Sequence, residues 1–194
     1  PSSIYGITKQ QQEQMILLIG KTLKIPVAAL RYQNVYGPGQ SLSNPYTGIL
    51  SIFSTRILNG NDIDIYEDGE ESRDFVFIDD VIDATVLALE KEEANHQIFN
   101  VGSGIATTVS MVANTLKELY ASNVNINISG RYRLGDVRHN YSDLSKINNA
   151  LGFTPKFNFK AGITEFVNWV KTQEIMDDKY ENSIKELKQK GLIK

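Results

Sequence analysis

Residues 26–39 read PVAALRYQNVYGPG, and this stretch indicates the class of fold. The apolar run 27–32 lies between Pro26 and a Gly37-Pro38-Gly39 breaker, which is typical of a buried strand followed by a loop. The preceding residues 5–24 are rich in helix formers. A helix that leads into a continuous apolar strand is the αβ half of a parallel α/β unit, because parallel strands are covered on both faces. The predicted fold class is therefore α/β.

The first helix is predicted from Tyr5 to about Lys24, and it ends before a proline that cannot continue it. Met15, Leu18 and Ile19 recur at helical spacing and form its apolar face.

Beyond residue 40 the sequence alternates helical and extended patterns. Helices are predicted at residues 46–59, 81–91, 107–120, 143–151 and 161–171. Strands are predicted at residues 63–66, 74–78, 97–101 and 123–129, the first two being joined by a loop that contains Gly69. This alternation repeats the helix and strand order of the opening segment.

Several residues at the ends of these helices are typical of caps. Asp79 or Asp80 is expected to cap the helix at 81–91, and Thr107 or Thr108 the next one, because their side chains accept hydrogen bonds from free backbone N–H groups. Gly152 is expected to end the helix at 143–151.

The tail from residue 174 to residue 190 is highly charged but has an apolar stripe. Met176, Tyr180, Ile184 and Leu187 fall on one helical face. This pattern predicts a terminal helix laid on the domain, and a helix that binds a partner is the alternative.

Composition excludes several classes of function. Twenty basic and 23 acidic residues nearly balance, which argues against a surface built for nucleic acid or for an anionic membrane. Cysteine is absent, so disulfides, a cysteine nucleophile and thiolate zinc sites are excluded. His96 and His139 show no metal-ligand spacing. We expect a cytoplasmic protein with a small-molecule or protein partner.

Tyr5 and Lys9 form the first candidate catalytic pair. At a spacing of four their side chains share one helix face, so the ammonium group can lower the pKa of the phenol and favour a phenolate that abstracts a proton. One such pair also arises easily by chance in a chain with nine tyrosines. The motif alone leaves both readings open.

Each of the other candidate binding residues could also have an ordinary structural role. Arg73 and Arg133 are each either surface ion-pair residues or bidentate phosphate ligands. Asn34 follows a predicted strand, where α/β proteins bind ligands, but asparagine is also common in turns. Gly102–Gly104 joins a strand to a helix, and a tight turn is favoured there over a phosphate cradle.

Five segments in a fixed order carry a family resemblance. They are Tyr5-Gly6-x-x-Lys9, LRYQNVYGPGQ at 30–40, IYEDGEESRDFVFIDDVIDA at 65–84, FNVGSG at 99–104, and RLGD at 133–136 with Asp143 downstream. Together they resemble the C-terminal part of an extended short-chain dehydrogenase/reductase of the NAD-dependent epimerase/dehydratase family. The resemblance runs from Pro1 to about Lys171. The chain is similar to UDP-glucose 4-epimerase-like members of the family. Its segment at 37–49, GPGQSLSNPYTGI, is similar to dTDP-L-rhamnose 4-epimerase-like members.

The resemblance implies a fold and a set of functional residues. Residues 1–38 would be the last helix and strand of a Rossmann-type NAD-binding domain, and residues 39–194 a smaller mixed α/β substrate-binding domain with a helical tail. The implied cofactor contacts are Tyr5, Lys9 and Tyr32. The implied contacts to a UDP- or dTDP-sugar are Asn34, Asn44, Arg73, Arg133 and Asp136. In the family pattern Gln33 stands where an aromatic residue is common.

The implied reaction is a 4-epimerisation. Tyr5 would take the proton of the sugar 4-hydroxyl while NAD accepts the hydride from C4, and Lys9 would lower the pKa of Tyr5 and bind the nicotinamide ribose. The diphosphate contacts of Arg73 and Arg133 would hold the nucleotide while the 4-keto sugar turns. The family also implies a homodimer packed through the helix that carries Tyr5.

The 194 residues lack the family's glycine-rich phosphate turn, G-x-G-x-x-G. We therefore expect a fragment that is inactive by itself. The alternatives are a nucleotide-sugar dehydratase or decarboxylase of the same family and a non-catalytic module that binds a sugar nucleotide.

Overall fold

The computed structural model describes residue 1, residues 3–43 and residues 48–193. Its helices are α1 (Ile4–Leu23), α2 (Ile49–Leu58), α3 (Ile78–Glu90), α4 (Val109–Leu119), α5 (Ser145–Leu151), α6 (Phe159–Val170) and α7 (Tyr180–Gln189), with a 3₁₀ turn at Glu92–Ala94. Its strands are β1 (Ala28–Tyr32), β2 (Asn34–Tyr36), β3 (Ile63–Ile65), β4 (Ser72–Arg73), β5 (Phe75–Phe77), β6 (Gln97–Val101), β7 (Thr107–Thr108), β8 (Ile126–Ile128) and β9 (His139–Asn140).

Parallel pairing dominates the strands. β1 pairs with β6, β2 with β5, and β3 with β8, all in parallel, while β4 lies between antiparallel β7 and parallel β9. Parallel partners need long connections, and α2, α3 and α4 lie within them. The α/β fold class predicted from the sequence is confirmed. The predicted runs at 63–66 and 74–78 are both extended, but each pairs with a distant strand.

The chain passes from one strand pair to the next at Gln33. The Gln33 N–H donates to the carbonyl oxygen of Val101 at 2.9 Å, and the Asn34 N–H donates to that of Asp74 at 2.9 Å. Asn34 therefore lies beside the junction of β4 and β5. Because β1 of the first segment pairs with β6 of the second, the two segments share a strand pair, and their division at residue 38 stays a prediction.

Helix α1 confirms the first helical prediction to within a residue at each end. The Ser3 side chain accepts a hydrogen bond from the Gly6 N–H at 3.1 Å, and the helix ends at Lys24 in the left-handed conformation.

The apolar face of α1 is exposed in the described chain. Met15, Leu18 and Ile19 are 59%, 67% and 49% exposed, and Gly20 is the buried residue of the helix, because it lies against Val27. Strand β1 is likewise only half covered, since Arg31 and Tyr32 are exposed. The prediction that the strand at 27–32 is buried was therefore wrong for the described chain.

Two larger apolar clusters form most of the core among the described residues, and a third, smaller one lies at α7. One is built by α2, α4 and α6 around β3 and β5, with Leu116, Ile163 and Phe166 fully buried. The other joins β6 to α3 and α5 through Phe99, Ile147 and Leu151, which are also fully buried. β5 contributes to both clusters and links them.

The cap predictions were partly right. The Thr108 side chain caps α4 by accepting from the Met111 N–H at 3.1 Å, and α5 ends at Gly152 with φ 69°. The prediction for α3 was wrong, since that helix starts at Ile78 without a side-chain cap. Asp80 is buried and instead accepts from the backbone N–H groups of residues 156 and 157 at 2.8 and 3.1 Å.

The charged tail forms α7, which lies on the domain as predicted. Tyr180, Ile184 and Leu187 are buried and pack with Ile193 against Ile52 and Tyr66. Met176 lies before the helix and is 41% exposed. None of the helices among the described residues combines the length and the apolar character that crossing a bilayer requires.

Candidate functional site

A cavity of about 250 Å³ is lined by residues of α2, β3, β4 and α7. Four residues that the sequence singled out lie in its walls: Asn34, Arg73, Arg133 and Asp136. Asn34 opens β2, Arg73 ends β4, and the other two lie in the loop between β8 and β9. The fold thus brings together side chains from three separate segments.

Arg73 is held in a fixed orientation at the cavity wall. Its Nη1 donates to the carbonyl oxygens of Ser72 and Arg138 at 2.9 and 3.0 Å, and its Nη2 donates to Asp136 Oδ1 at 2.8 Å. A guanidinium group has five N–H donors, so two remain beyond these three bonds. Those two donors are enough for a bidentate contact to an anion.

Arg133 differs from the other arginines in its charge environment. The remaining five arginines each pair with at least one carboxylate, whereas Arg133 forms no ion pair within the described residues. Its side chain is exposed and its backbone forms an antiparallel bridge with Ile193. Arg133 therefore offers the cavity an uncompensated positive charge.

Acidic side chains in the same walls are mostly paired. Asp64 binds Arg131 at 2.7 Å, Glu67 binds Arg138 at 2.6 Å, and Asp136 binds Arg73 at 2.8 Å. Asp64 and Glu67 are thus paired with arginines that do not line the cavity, although Arg138 also binds Asp68 at 2.6 Å. Their pairing limits the repulsion that an anionic ligand would meet.

Glu71 is the exception among these acids. It lines the cavity, is 7% exposed, and its Oε2 has no hydrogen-bond partner within the described residues. Burial raises the pKa of its carboxyl, and the nearby charges of Glu67 and Asp68 raise it further. Glu71 is therefore a buried acceptor facing the cavity.

Tyr5, Lys9 and Tyr32 lie away from this cavity. Tyr5 and Lys9 share one face of α1, with the Lys9 Nζ 5.6 Å from the centre of the Tyr5 ring and 3.3 Å from Gln12 Oε1. Tyr5 is 71% exposed. The Tyr32 hydroxyl is hydrogen-bonded to Thr85 Oγ1 at 2.9 Å. None of the three is among the residues that line the cavity.

The remaining candidates from the sequence are Asn44 and the two histidines. Asn44 falls outside the described residues. No group of three or more metal-ligating side chains occurs in the part of the chain that the structure describes. His96 and His139 are both exposed, and His139 Nδ1 contacts Ser72 Oγ at 3.0 Å.

The turn at Gly102–Gly104 is closed by Asp74. The N–H groups of Ser103 and Gly104 donate to the Asp74 carboxylate at 2.7 and 3.0 Å. A side chain at Gly102 would collide with Asp74 and Ser142. Because an internal carboxylate occupies the amides, the tight turn fits the geometry better than the phosphate cradle.

Three features of the site were missed from the sequence: Glu71, Asp74 and the contribution of α7. The apolar stripe of the tail indicated that α7 packs, but not where. Tyr180, Ser183, Ile184 and Leu187 of α7 line the cavity. Burial raises the pKa of the Tyr180 phenol well above its usual range, and its contact with Tyr66 adds to the shift, so Tyr180 stays neutral at physiological pH.

Fold and cavity together define a parallel α/β protein with a cavity whose walls include two arginines, Arg73 and Arg133. Residues 1–102 match the family described as NAD dependent epimerase/dehydratase family. This match covers more than half of the chain, and the chain belongs to that family. NAD is the cofactor for which the family is described.

Curated relatives share sequence over most of the chain. A dTDP-L-rhamnose 4-epimerase of Burkholderia thailandensis is 42% identical over 170 residues, which cover 88% of this chain and 47% of the relative. A UDP-N-acetyl-alpha-D-glucosaminuronate decarboxylase of Bacillus cytotoxicus is 30% identical, with 88% and 54% covered. The chain thus spans about half the length of the curated relatives it matches.

Solved structures agree with this assignment. UDP-glucose 4-epimerase of Thermotoga maritima, solved with UDP-glucose, matches with a TM-score of 0.77 and 35% identity over 86% of this chain and 53% of that one. UDP-glucose 4-epimerase of Thermus thermophilus, solved with NAD, matches with a TM-score of 0.80 and 29% identity over 90% and 56%. The Rossmann-like epimerase fold is therefore shared.

Proposed function

We propose that this chain carries the nucleotide-sugar site of an NAD-dependent nucleotide-sugar 4-epimerase. The observation that supports the proposal is the cavity in which Asn34, Arg73, Arg133 and Asp136 meet. The family resemblance implies a ligand role for these four residues, and their presence in the lining of one cavity supports that role.

The two arginines are the proposed diphosphate ligands. Arg73 has two donors beyond its internal bonds, and Arg133 has no internal counterion among the described residues. A planar guanidinium matches the oxygen spacing of a phosphate group. Asp136 is proposed to accept from the nucleotide ribose, while Asn34 and Asn44 are proposed to contact the diphosphate and the sugar nucleotide.

Tyr5 is the proposed acid and base, and Lys9 its partner. Both side chains are exposed on one face of α1, which fits the nicotinamide-ribose end of NAD. When bound, NAD supplies the redox chemistry at C4 of the sugar. Tyr5 would take the proton of the 4-hydroxyl and return it, Lys9 would hold the charge of the phenolate, and Tyr32 would contact the cofactor.

The assembly proposed for the whole protein is a homodimer. The apolar residues that α1 leaves exposed, including Met15, Leu18 and Ile19, support a helix that packs against its copy. The cytoplasmic location stays a prediction.

A decarboxylase of the same family is the second candidate. The 30% identity to a UDP-N-acetyl-alpha-D-glucosaminuronate decarboxylase favours it. Both candidates would use Tyr5 and Lys9 similarly, and the decarboxylase would need further acidic residues beside the helix that carries Tyr5 or upstream of it.

Calorimetric titration of the chain with UDP and dTDP tests the nucleotide site. We expect binding of both diphosphates, and at least tenfold weaker binding of uridine and thymidine, because the nucleosides lack the charge-assisted bonds to Arg73 and Arg133. Heat changes no larger than those of dilution with both diphosphates would overturn the proposal.

We also propose that the 194-residue chain does not turn over substrate by itself, since its sequence contains no G-x-G-x-x-G turn for the phosphates of NAD. Incubation with NAD and UDP-glucose or dTDP-L-rhamnose should yield no 4-epimer by proton NMR. Appearance of the epimer above the level in a Tyr5→Phe control would contradict this expectation.

A further inference from the structure

Contacts around the first turn of the C-terminal helix α7 attach the helix to the cavity wall. Arg56 of α2 is 6% exposed, and its Nη1 contacts Asp178 at 3.2 Å and Glu181 at 3.5 Å. The same guanidinium lies 4.2 Å from the centre of the Tyr180 ring. A buried arginine with two carboxylates and a stacked ring fixes the position of the first turn of α7.

The chain after α7 is fastened to the segment that carries the site residues. The Leu134 N–H donates to the carbonyl oxygen of Leu192 at 3.0 Å, and Arg133 forms an antiparallel bridge with Ile193. Ile193 is buried with the apolar face of α7. The backbone of Arg133 is therefore supported by the end of the tail.

Between these two attachments α7 is itself a wall of the cavity. Tyr180, Ser183 and Leu187 line the space. Tyr180 and Leu187 also pack against Ile52 and Tyr66, which line it too. Ser183 is the smallest of the buried residues on this face and is 6% exposed. Its hydroxyl donates to the carbonyl oxygen of Tyr180 at 2.7 Å, which leaves its oxygen able to accept.

We propose that α7 is part of the nucleotide-binding site and that its docking is coupled to binding of a pyrimidine nucleoside diphosphate. This inference rests on the proposed function of the cavity. The diphosphate contacts Arg73 and Arg133. The nucleoside lies against α7, because the chain that follows α7 runs beside Arg133. Ser183 sets the space available to the nucleoside. By thermodynamic reciprocity, a ligand that binds the docked helix also stabilises its docking.

Two matched methionine substitutions on α7 test the wall. Ser183→Met extends a longer side chain toward the cavity, and we expect the Kd for UDP to rise at least tenfold. Lys185→Met introduces the same side chain on the exposed face of the helix and should leave the Kd unchanged. A chain that ends after Gln173 lacks the whole wall and should bind UDP at least tenfold more weakly. Circular dichroism melts verify that each variant is folded.

Amide hydrogen exchange of the unmodified chain distinguishes a tail that takes part in nucleotide binding from a tail that only stabilises the fold. Saturating UDP should slow exchange in residues 180–189 by at least threefold and leave α1 unchanged, because α1 does not line the cavity. This measurement decides the question even if the variants unfold.

The outcomes distinguish the inference about α7 from the proposed function of the cavity. If the unmodified chain binds UDP while Ser183→Met and the shortened chain bind equally well, or if exchange in α7 is unaffected by UDP, the inference about α7 is wrong and the proposed function stands. If the unmodified chain binds neither UDP nor dTDP, the proposed function fails and the inference fails with it.

Discussion

Replacing Asp74 with alanine should lower the free energy of unfolding by about 3–5 kcal/mol, the range typical of removing one partner from a buried charged network. Asp74 is fully buried between β4 and β5. Its carboxylate accepts from the backbone N–H and the hydroxyl of both Ser103 and Ser142, at distances of 2.5–3.1 Å, and from the Gly104 N–H at 3.0 Å.

The size of this effect follows from what the alanine leaves behind. Five donors lose their acceptor, and the space beside Gly102 is too closely packed for the groups to find new partners by a small movement. Each buried donor without a partner costs about 1–3 kcal/mol, although water entering the gap recovers part of that loss. Asp74→Asn keeps the shape and one acceptor oxygen, but its amide NH2 group would face donors at the other position, so it should also be destabilising.

Urea denaturation followed by the fluorescence of Trp169, the single tryptophan, measures the change. Asp83→Ala is the matched control, because Asp83 is partly exposed and forms one surface ion pair with Lys156. That control should cost less than about 1 kcal/mol. An Asp74→Ala chain as stable as the control would show that the network does not hold the loop.

Local signals in the sequence were the most informative about the fold. Ser and Thr before helices and glycine after them act within one turn, so the caps at Thr108 and Gly152 could be predicted from a few neighbouring residues. Asp80 has the same chemistry but bonds to the backbone 76 and 77 residues away. A distant partner outcompeted the local one, and nothing near Asp80 in the sequence signals it.

The apolar pattern of α1 shows a different limit. Periodicity correctly predicts that Met15, Leu18 and Ile19 share a face, but it does not state what covers that face. The tail shows the same limit, since its periodicity also identifies an apolar face but not what covers it. Unlike the face of α1, the face of the tail is covered, and it lines the cavity.

The candidate site was predictable where a motif supplied the residue. Arg73, Arg133 and Asp136 belong to ordered family segments, so the sequence named them before the fold placed them together. Glu71 lies in the family segment at 65–84 but was given no role there, and Ser183 lies in none of the five segments. Their positions depend on how β4 and α7 meet across the cavity, which is a property of tertiary packing.

Replacing Arg73 or Arg133 with alanine should weaken binding of UDP and dTDP by at least tenfold each. A charge-assisted hydrogen bond contributes about 1.5–3 kcal/mol, which corresponds to roughly 10- to 150-fold in Kd. Arg73→Ala also leaves Asp136 without its partner beside the ligand, which adds repulsion. Arg133→Ala removes the arginine that has no counterion within the described residues, so its stability cost should be small.

Isothermal titration calorimetry of UDP into the unmodified chain and three alanine variants tests the central claim most directly. Arg31→Ala is the control, because Arg31 pairs with Glu13 and does not line the cavity. We expect equal affinity for the unmodified chain and Arg31→Ala, and at least tenfold weaker binding for Arg73→Ala and Arg133→Ala. Equal affinity in all four chains, or no binding by any of them, would contradict it.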